Sequence, residues 1–438
     1  MPPKKRKPIK EYALKSRYLG ITLERAKEGR KTFRVLRRLF EAYVALPCAS
    51  PMKDALWENI IAFSRRYYEI TRERRVPPLF IHHLNRTVGS FSEPEVSIKF
   101  RFRNRGQLQL LLDNLRLPDF LRFIDDTGKN HGRVRGEEAF LIGLCRLSST
   151  KTLQDLVVDF GRDYTWISRS FDSFVRWMER VHGYRIYNNL EYWLPEFPRF
   201  AEAIRRKLWE YGVEFDPGTF TVFSFIDCTN KLINRVGAGP ERDGVGAPRA
   251  DPAMMLQQLY YNGWLGSCGI KYESVYLPCG MDCFVSKGDS SRHSDLYFLR
   301  ESDINRKLMD VQYHQFENPV GNDPAWILYK MYGDSAYGHM ECLQSRHRAA
   351  GILPENLRME NLAMSRVRES IEWSYGETSN LFPFVTYENR QQLLASPVLE
   401  SYITATIMRN CYATLNYNST SKYFDCDPPS LESWLRQL

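Results

Sequence analysis

The sequence predicts a mixed α/β (α+β) protein: a basic extension, a helical block, a sheet-bearing domain and a helical tail. Three observations carry this. Apolar residues recur at helical spacing between about residues 96 and 215. After about residue 216 the period changes to β-branched and alternating runs, and positive charge is concentrated at the start of the chain. The boundaries expected from these shifts are 1–95, 96–215, 216–380 and 381–438.

The first segment is set by charge. Residues 1–40 carry fourteen Lys and Arg against three Glu, whereas the whole chain nets only +9, so a basic arm is attached to a near-neutral body. Such an arm suits a polyanionic partner, because each neutralised phosphate releases counter-ions. Lys4, Lys5, Arg6 and Lys7, between Pro3 and Pro8, form a compact cluster of the kind importins read, which predicts a nuclear location. A solvated tail or a remnant of recombinant expression is the alternative. Leu19, Leu23, Val35, Leu36, Leu39 and Phe40 give helical patterning, and Arg65, Arg66, Arg72, Arg74 and Arg75 form a second basic cluster.

The second segment is expected to be wholly helical. Ser97–Arg105, with Ile98, Phe100 and Phe102 alternating with basic residues, reads as a short strand or as the lead-in to a helix over Gln107–Leu115. Gly136–Leu147 is an apolar helix, and Leu153, Leu156, Val157 and Phe160 mark the next. After the break Gly161–Tyr164, a helix over Thr165–Val181 buries Ile167, Phe171, Phe174, Val175 and Met178. Ser168, Arg169, Asp172 and Arg176 then lie off its core face. Helix, short turn and helix is the helix-turn-helix pattern, which makes Arg169 and Arg176 candidate DNA contacts; an ordinary helical hairpin has the same spacing.

The third segment opens with the strand Thr219–Thr229 (TFTVFSFIDCT), on which Asp227 shares a face with Phe223 and Phe225. A carboxylate at an inward position is costly unless cations or donors compensate it. Ile270–Leu277, Cys283–Ser286 and Ala325–Tyr332 read as further strands, the last leading into Gly333-Asp334. A helix over Leu362–Tyr375 carries Met364, Val367, Ile371 and Tyr375 inward, with Ser365, Arg368, Glu369 and Glu372 on its polar face. Asp227, Asp334 and Glu372 are thus three hard oxygen ligands on separate elements, the kind of set that holds Mg²⁺ while leaving positions for water and phosphate. Singly, each aspartate at a strand end is also what a loop cap looks like. The tail is expected to hold one helix, Gln391–Cys411, and then a polar end.

The words around these acids are more specific. Asp227-Cys-Thr, Tyr332-Gly-Asp-Ser-Ala-Tyr337 and Ser365-Arg-x-Arg-x-x-Ile-Glu372-x-x-Tyr-Gly376 stand in order, 107 residues separating the first two acids and 38 the last two. In this the chain resembles the PIF/Harbinger DDE transposases, including their Harbinger-derived nucleases. Gly288 with Arg292-His293-Ser294-Asp295, and the helices from Gly136 to Phe171, add to the resemblance, which spans about residues 96–376. Asn230 stands where the family usually has His, and Ser294 splits its His-Asp pair.

The resemblance implies an RNase H-like catalytic domain, preceded here by the helix-turn-helix region and the basic extension. It implies two Mg²⁺ or Mn²⁺ ions held by Asp227, Asp334 and Glu372, and DNA cut at terminal inverted repeats, with the 3′-OH ends joined to target DNA. The partners expected are duplex DNA, a second copy of the chain or more on that DNA, and a Myb-like accessory protein. Lys287, Arg292, His293, Arg366 and Arg368 are candidate DNA contacts; His293 with Asp295 is alternatively a proton shuttle or a structural pair. A domesticated DNA-binding or nuclease protein that no longer transposes is the alternative reading.

Other classes find less support. No run approaches the ~18 apolar residues of a membrane span, and no secretory leader opens the sequence, so a soluble intracellular protein without a membrane partner is expected. The nine cysteines are scattered, and Cys279 with Cys283 has no second pair, so reduced thiols rather than zinc are expected. Gly237–Gly246 lacks the Gly-Lys-Ser/Thr ending of a phosphate loop. His82-His83 reads as surface, and the sequons at Asn85 and Asn418 carry no meaning in a chain that is not secreted.

Overall fold

The computed structural model describes residues 86–124, 128–234, 257–317, 328–388, 391–393 and 396–436, with isolated positions between 31 and 59. The basic cluster Lys4–Lys7, the arginines at 65–75, His82-His83 and the loop Gly237–Gly246 lie outside the described residues. The chain divides into two compact units: Met1–Asn85 with Leu153–Ile167, and Arg86–Thr152 with Ser168–Leu438.

The larger unit opens with α1 (Glu93–Phe100) and α2 (Arg105–Leu115). Ser97–Arg105 is therefore no strand. A capping box closes on Ser92, whose N–H donates to Glu95 Oε2 at 3.0 Å, and Arg101 ends α1 in the left-handed region at φ 68°. That local chemistry outweighs the alternation: Phe100 and Phe102 are buried, but Ile98 is exposed.

The expectation of an all-helical second segment is corrected by a hairpin of β1 (Phe120–Ile124) and β2 (Asn130–Arg135), paired antiparallel. Leu121, Phe123 and Val134 point inward. The signal lay in that alternation and in the following Asp125-Asp126-Thr127-Gly128, a turn sequence. Next comes α3 (Gly136–Leu147), buried almost all round, in keeping with its apolar run Ala139–Cys145.

The smaller unit contributes α4 (Leu153–Phe160), which stops at Gly161 in the left-handed region (φ 63°), and the first turn of α5 (Tyr164–His182). Asp163 caps that turn, its Oδ1 accepting from the N–H groups of Thr165 and Trp166 at 2.8 and 3.1 Å. Further along α5, Phe174 lies so close to Gly143 of α3 that a Cβ there would fall 2.1 Å from its ring.

Beyond α6 (Phe197–Glu210) the described residues form a seven-stranded mixed sheet: β3 (Val222–Leu232), β4 (Tyr261–Asn262), β5 (Ser267–Tyr276), β6 (Asp282–Val285), β7 (Asp289–Ser290), β8 (Lys330–Tyr332) and β9 (Leu343–Gln344). On one side β3 pairs antiparallel with β5, which in turn pairs with β6 and β7. On the other side β8 is parallel to β3, and β9 is parallel to β8. The helices α7 (Asp295–Ser302) and α8 (Ile304–Glu317) connect the two sides. The strand carrying Asp227 runs five residues past it, so this acid sits within β3 rather than at its end.

The expected single helix over Leu362–Tyr375 is two: α9 (Glu355–Arg368) and α10 (Ser370–Leu381). At the junction the Glu372 N–H reaches the Glu369 carbonyl at 3.0 Å, an i to i−3 bond that tightens the turn. The tail also differs from expectation, with α11 (Val398–Asn416), α12 (Ser419–Phe424) and α13 (Leu431–Leu435). Its end is not a polar fringe, since Trp434 is fully buried. Asn418, the sequon residue, caps α12 by accepting from the Ser421 N–H at 2.9 Å and is itself buried.

Alternation along β3 assigns helices to both faces of the sheet. On the face of Phe223, Phe225 and Asp227, Phe197 of α6 stacks on Phe223 with centroids 3.8 Å apart, and Phe424 of α12 stacks near Phe225. Tyr402 of α11 stacks on Tyr272, the residue opposite Thr229, at 4.0 Å. On the other face Ser302 of α7 bonds to Glu273, and Lys307 of α8 lies over Phe284.

Candidate active site

The register of β3 and β8 brings two of the three expected acids together. Phe225 is paired with Tyr332; Asp227 lies two residues further along β3, and Asp334 two residues past Tyr332, the last residue of β8. Gly333, just before Asp334, packs closely: a Cβ there would lie 2.8 Å from Tyr337 and 3.1 Å from Ile226. Asp334 is fixed by a turn, its Oδ1 accepting from the Ala336 N–H at 2.8 Å.

Asp227 is held at several points. Its Oδ1 accepts from the Cys228 N–H at 2.8 Å, and its main-chain carbonyl accepts from the Tyr375 hydroxyl at 3.0 Å. Its Oδ2 accepts from Arg368 Nη1 at 2.9 Å. Arg368 also extends Nη2 toward Glu372 Oε1 at 3.5 Å, so one guanidinium bridges the first and third acids. Asp227 and Arg368 are each 19% exposed and Glu372 57%, which makes Glu372 the open side of the cluster. Burial pushes the Asp227 carboxyl up to about 6; Arg368 and the Cys228 N–H pull it down, while Asp334 and Asp295 add to the rise.

A second polar group lies on the opposite face of the sheet. Cys228 is directly across from Glu273, which is fully buried; Ser302 donates to its Oε2 at 2.6 Å, and its Oε1 has no hydrogen-bond partner among the described residues. Burial pushes the Glu273 carboxyl up to about 8. Lys271, two residues earlier, donates to Asp295 Oδ1 at 2.9 Å and to the His293 carbonyl at 2.8 Å. His293 and Asp295 therefore do not pair with each other: the His293 ring stacks on Tyr297 at 3.9 Å, and its Nε2 is 3.9 Å from Asp289. Alternation alone makes Lys271 and Glu273 members of an amphipathic strand. Both faces are covered, and two ionisable groups in a strand buried on both sides were the available signal.

The remaining candidates are spread over the unit. Arg292 is exposed and donates to the Gln258 carbonyl at 2.6 Å. Arg366 lies 5.3 Å over the Tyr211 ring, and Lys287 lies 5.7 Å over Tyr187. Lys287 also lines a cavity of about 350 Å³ with Gly288, Tyr297, Phe298, Ser302 and Lys307. On α5, Arg169 is half-buried, while Arg176 is exposed with Nε 3.9 Å from Glu400 on α11. The eight cysteines among the described residues are free, and burial pushes the Cys279 and Cys283 thiols well up.

Among the described residues no three His, Cys, Asp or Glu side chains close into a metal cage, and no helix is long and apolar enough to cross a membrane. No known protein family, characterised protein or solved structure matches the chain.

Proposed function

We propose that this chain is a DDE-type DNA nuclease and strand transferase, with an RNase H-like catalytic domain built on the mixed sheet. The observation that carries the reading is the convergence of Asp227, Asp334 and, through Arg368, Glu372 from a central strand, its parallel neighbour and a following helix. A sheet with antiparallel strands on one side of the acid-bearing strand and parallel strands on the other supports it.

The donor set fits a hard divalent cation. Asp334 and Asp295 both add to the negative field at Asp227. Mg²⁺ binds through one or two carboxylates while keeping water and phosphate, which suits an open cluster better than a closed cage. Asp227, Asp334 and Glu372 would hold two such ions, Mg²⁺ or Mn²⁺. These would supply activation of the attacking oxygen and stabilisation of the leaving 3′ oxygen. The chain's own residues do the rest: Tyr375 fixes the backbone at Asp227, Gly333 lets the chain before Asp334 pack against Ile226 and Tyr337, and Arg368 offers a fork that matches phosphate. The substrate is duplex DNA, cut at an element's ends and joined through its 3′-OH.

Cleavage of duplex DNA by the full chain in Mg²⁺ or Mn²⁺ tests this. Asp227→Asn, Asp334→Asn and Glu372→Gln are each expected to abolish cutting while circular dichroism and DNA binding stay close to wild type. Near wild-type cutting by any one of them removes that residue from the site.

A further inference from the structure

Among the described residues Arg368 is the cation bonded to Asp227, and the bond pattern decides what it can do there. Asp227 has two oxygens. Oδ1 is taken by the Cys228 N–H at 2.8 Å, a main-chain donor fixed by the strand. Oδ2 has no main-chain donor among the described residues, and it is the oxygen that Arg368 Nη1 holds at 2.9 Å. The same guanidinium extends Nη2 to Glu372 Oε1 at 3.5 Å. Arginine does not lose its proton in proteins, so the group cannot become neutral in place. A metal ion on Oδ2 would stand a few ångströms from a fixed positive charge, at a position only 19% exposed, where screening by water is weak.

We propose that Arg368 is a displaceable counter-ion: it occupies the Asp227–Glu372 ligand pair in the absence of metal, competes with the divalent ion for Asp227 Oδ2, and swings out when the ion binds. It sits at the last residue of α9, before the tightened turn at Glu369, so its side chain starts from a helix end. Released, its planar fork is the shape that pairs with a phosphate in two hydrogen bonds. Metal binding would then present a phosphate clamp at the moment the site is charged. This rests on the metal-site reading above and adds a means of regulation to it.

The alternative role has the opposite sign. An arginine that merely positions Asp227 for the metal would help binding, and its removal would weaken it. Affinity for Mn²⁺ alone, without DNA, is measured on the full chain by the electron paramagnetic resonance signal of free Mn²⁺. Arg368→Gln is expected to bind Mn²⁺ at least about fivefold tighter than wild type, the lower end of the roughly 5–150-fold range of site-to-site couplings. Arg368→Lys keeps the charge and the fold; a lysine cannot span both carboxylates as a fork does, so it too should bind Mn²⁺ more tightly, by less. Affinity unchanged or weaker in Arg368→Lys, or in a folded Arg368→Gln, overturns the proposal. Asp227→Asn controls the reading beneath it. If Asp227→Asn leaves wild-type Mn²⁺ binding intact, the site itself is misplaced and the counter-ion role falls with it. If Asp227→Asn abolishes binding and the arginine variants do not tighten it, only the counter-ion role fails.

Discussion

Asp227 lies two residues past Phe225, and Asp334 lies two residues past Tyr332, the partner of Phe225 on the neighbouring parallel strand. The Asp334 carboxylate adds to the cost of ionising Asp227, and desolvation makes the larger contribution to holding Asp227 up at about 6. Removing the second charge should relax the first. In metal-free protein, Asp334→Asn is expected to bring the Asp227 midpoint down from about 6, and Arg368→Gln to push it up. Carbon-13 shifts of labelled aspartate carboxyls read both changes. An unmoved midpoint in Asp334→Asn would show that the two acids do not share a field.

Glu273 makes a different prediction, one of stability. Its carboxyl is at about 8 in the folded chain against an ordinary 4.5. Between those values the folded protein holds a proton that the unfolded chain has released. Stability from this group is therefore present at low pH and is lost as pH rises toward about 8. Glu273→Gln is neutral throughout and escapes the loss. The melting temperature of the variant minus that of wild type should grow steadily between about pH 5 and 8. A flat difference in calorimetry would mean that Glu273 is not ionising in a buried setting.

Much of the fold around these residues was legible in the sequence, and what was not has physical causes. The core face that periodicity assigns to α5 is correct residue by residue: Ile167, Phe171, Phe174, Val175 and Met178 are all buried. Periodicity is reliable where one face is wet. It fails where an element is covered all round, which is why the pattern starts α11 at Gln391 instead of Val398. The β1–β2 hairpin was hidden by the helices around it, although its alternation and turn residues were present. A place on a polar face makes Arg368 a candidate phosphate contact. That it bridges Asp227 and Glu372 depends on the tightened turn at Glu369, which no local pattern announced.

The tail is tied to the sheet by a buried ion pair. Arg409 of α11 bonds to Asp282 of β6, donates to the Gly280 carbonyl at 2.8 Å and comes within 3.9 Å of Glu377 on α10. Both Arg409 and Asp282 are buried, and Glu377 lies on the same helix as Glu372. Arg409→Met leaves Asp282 without its counter-charge and should cost about 3–5 kcal/mol. Replacing Asp282 by Asn as well should recover part of that loss. Chemical denaturation checks both, and a loss below about 1 kcal/mol in Arg409→Met would mean that Asp282 is neutral in the folded chain.

The proposed function calls for a surface that reads duplex DNA, and α5 offers two arginines in different settings. Arg169 is half-buried on the non-core side of the helix, whereas Arg176 is exposed and faces Glu400 at 3.9 Å. A carboxylate that close competes with a guanine for the guanidinium, so Arg176 should matter less. One good bidentate arginine–guanine pair discriminates by about 1–3 kcal/mol. Against a duplex enriched from a random pool, Arg169→Ala should lower the specific-to-random binding ratio by that amount, and Arg176→Ala by less. Deleting residues 1–40, which carry fourteen basic side chains against three acidic ones, should weaken both kinds of duplex about equally. It should also make the plot of log affinity against log salt shallower, by roughly 0.9 for each phosphate no longer neutralised. The comparison has to be made at one ionic strength, because non-specific affinity moves with salt. An unchanged ratio in both arginine variants would make α5 a structural helix and place recognition in the first 95 residues or in a second protein.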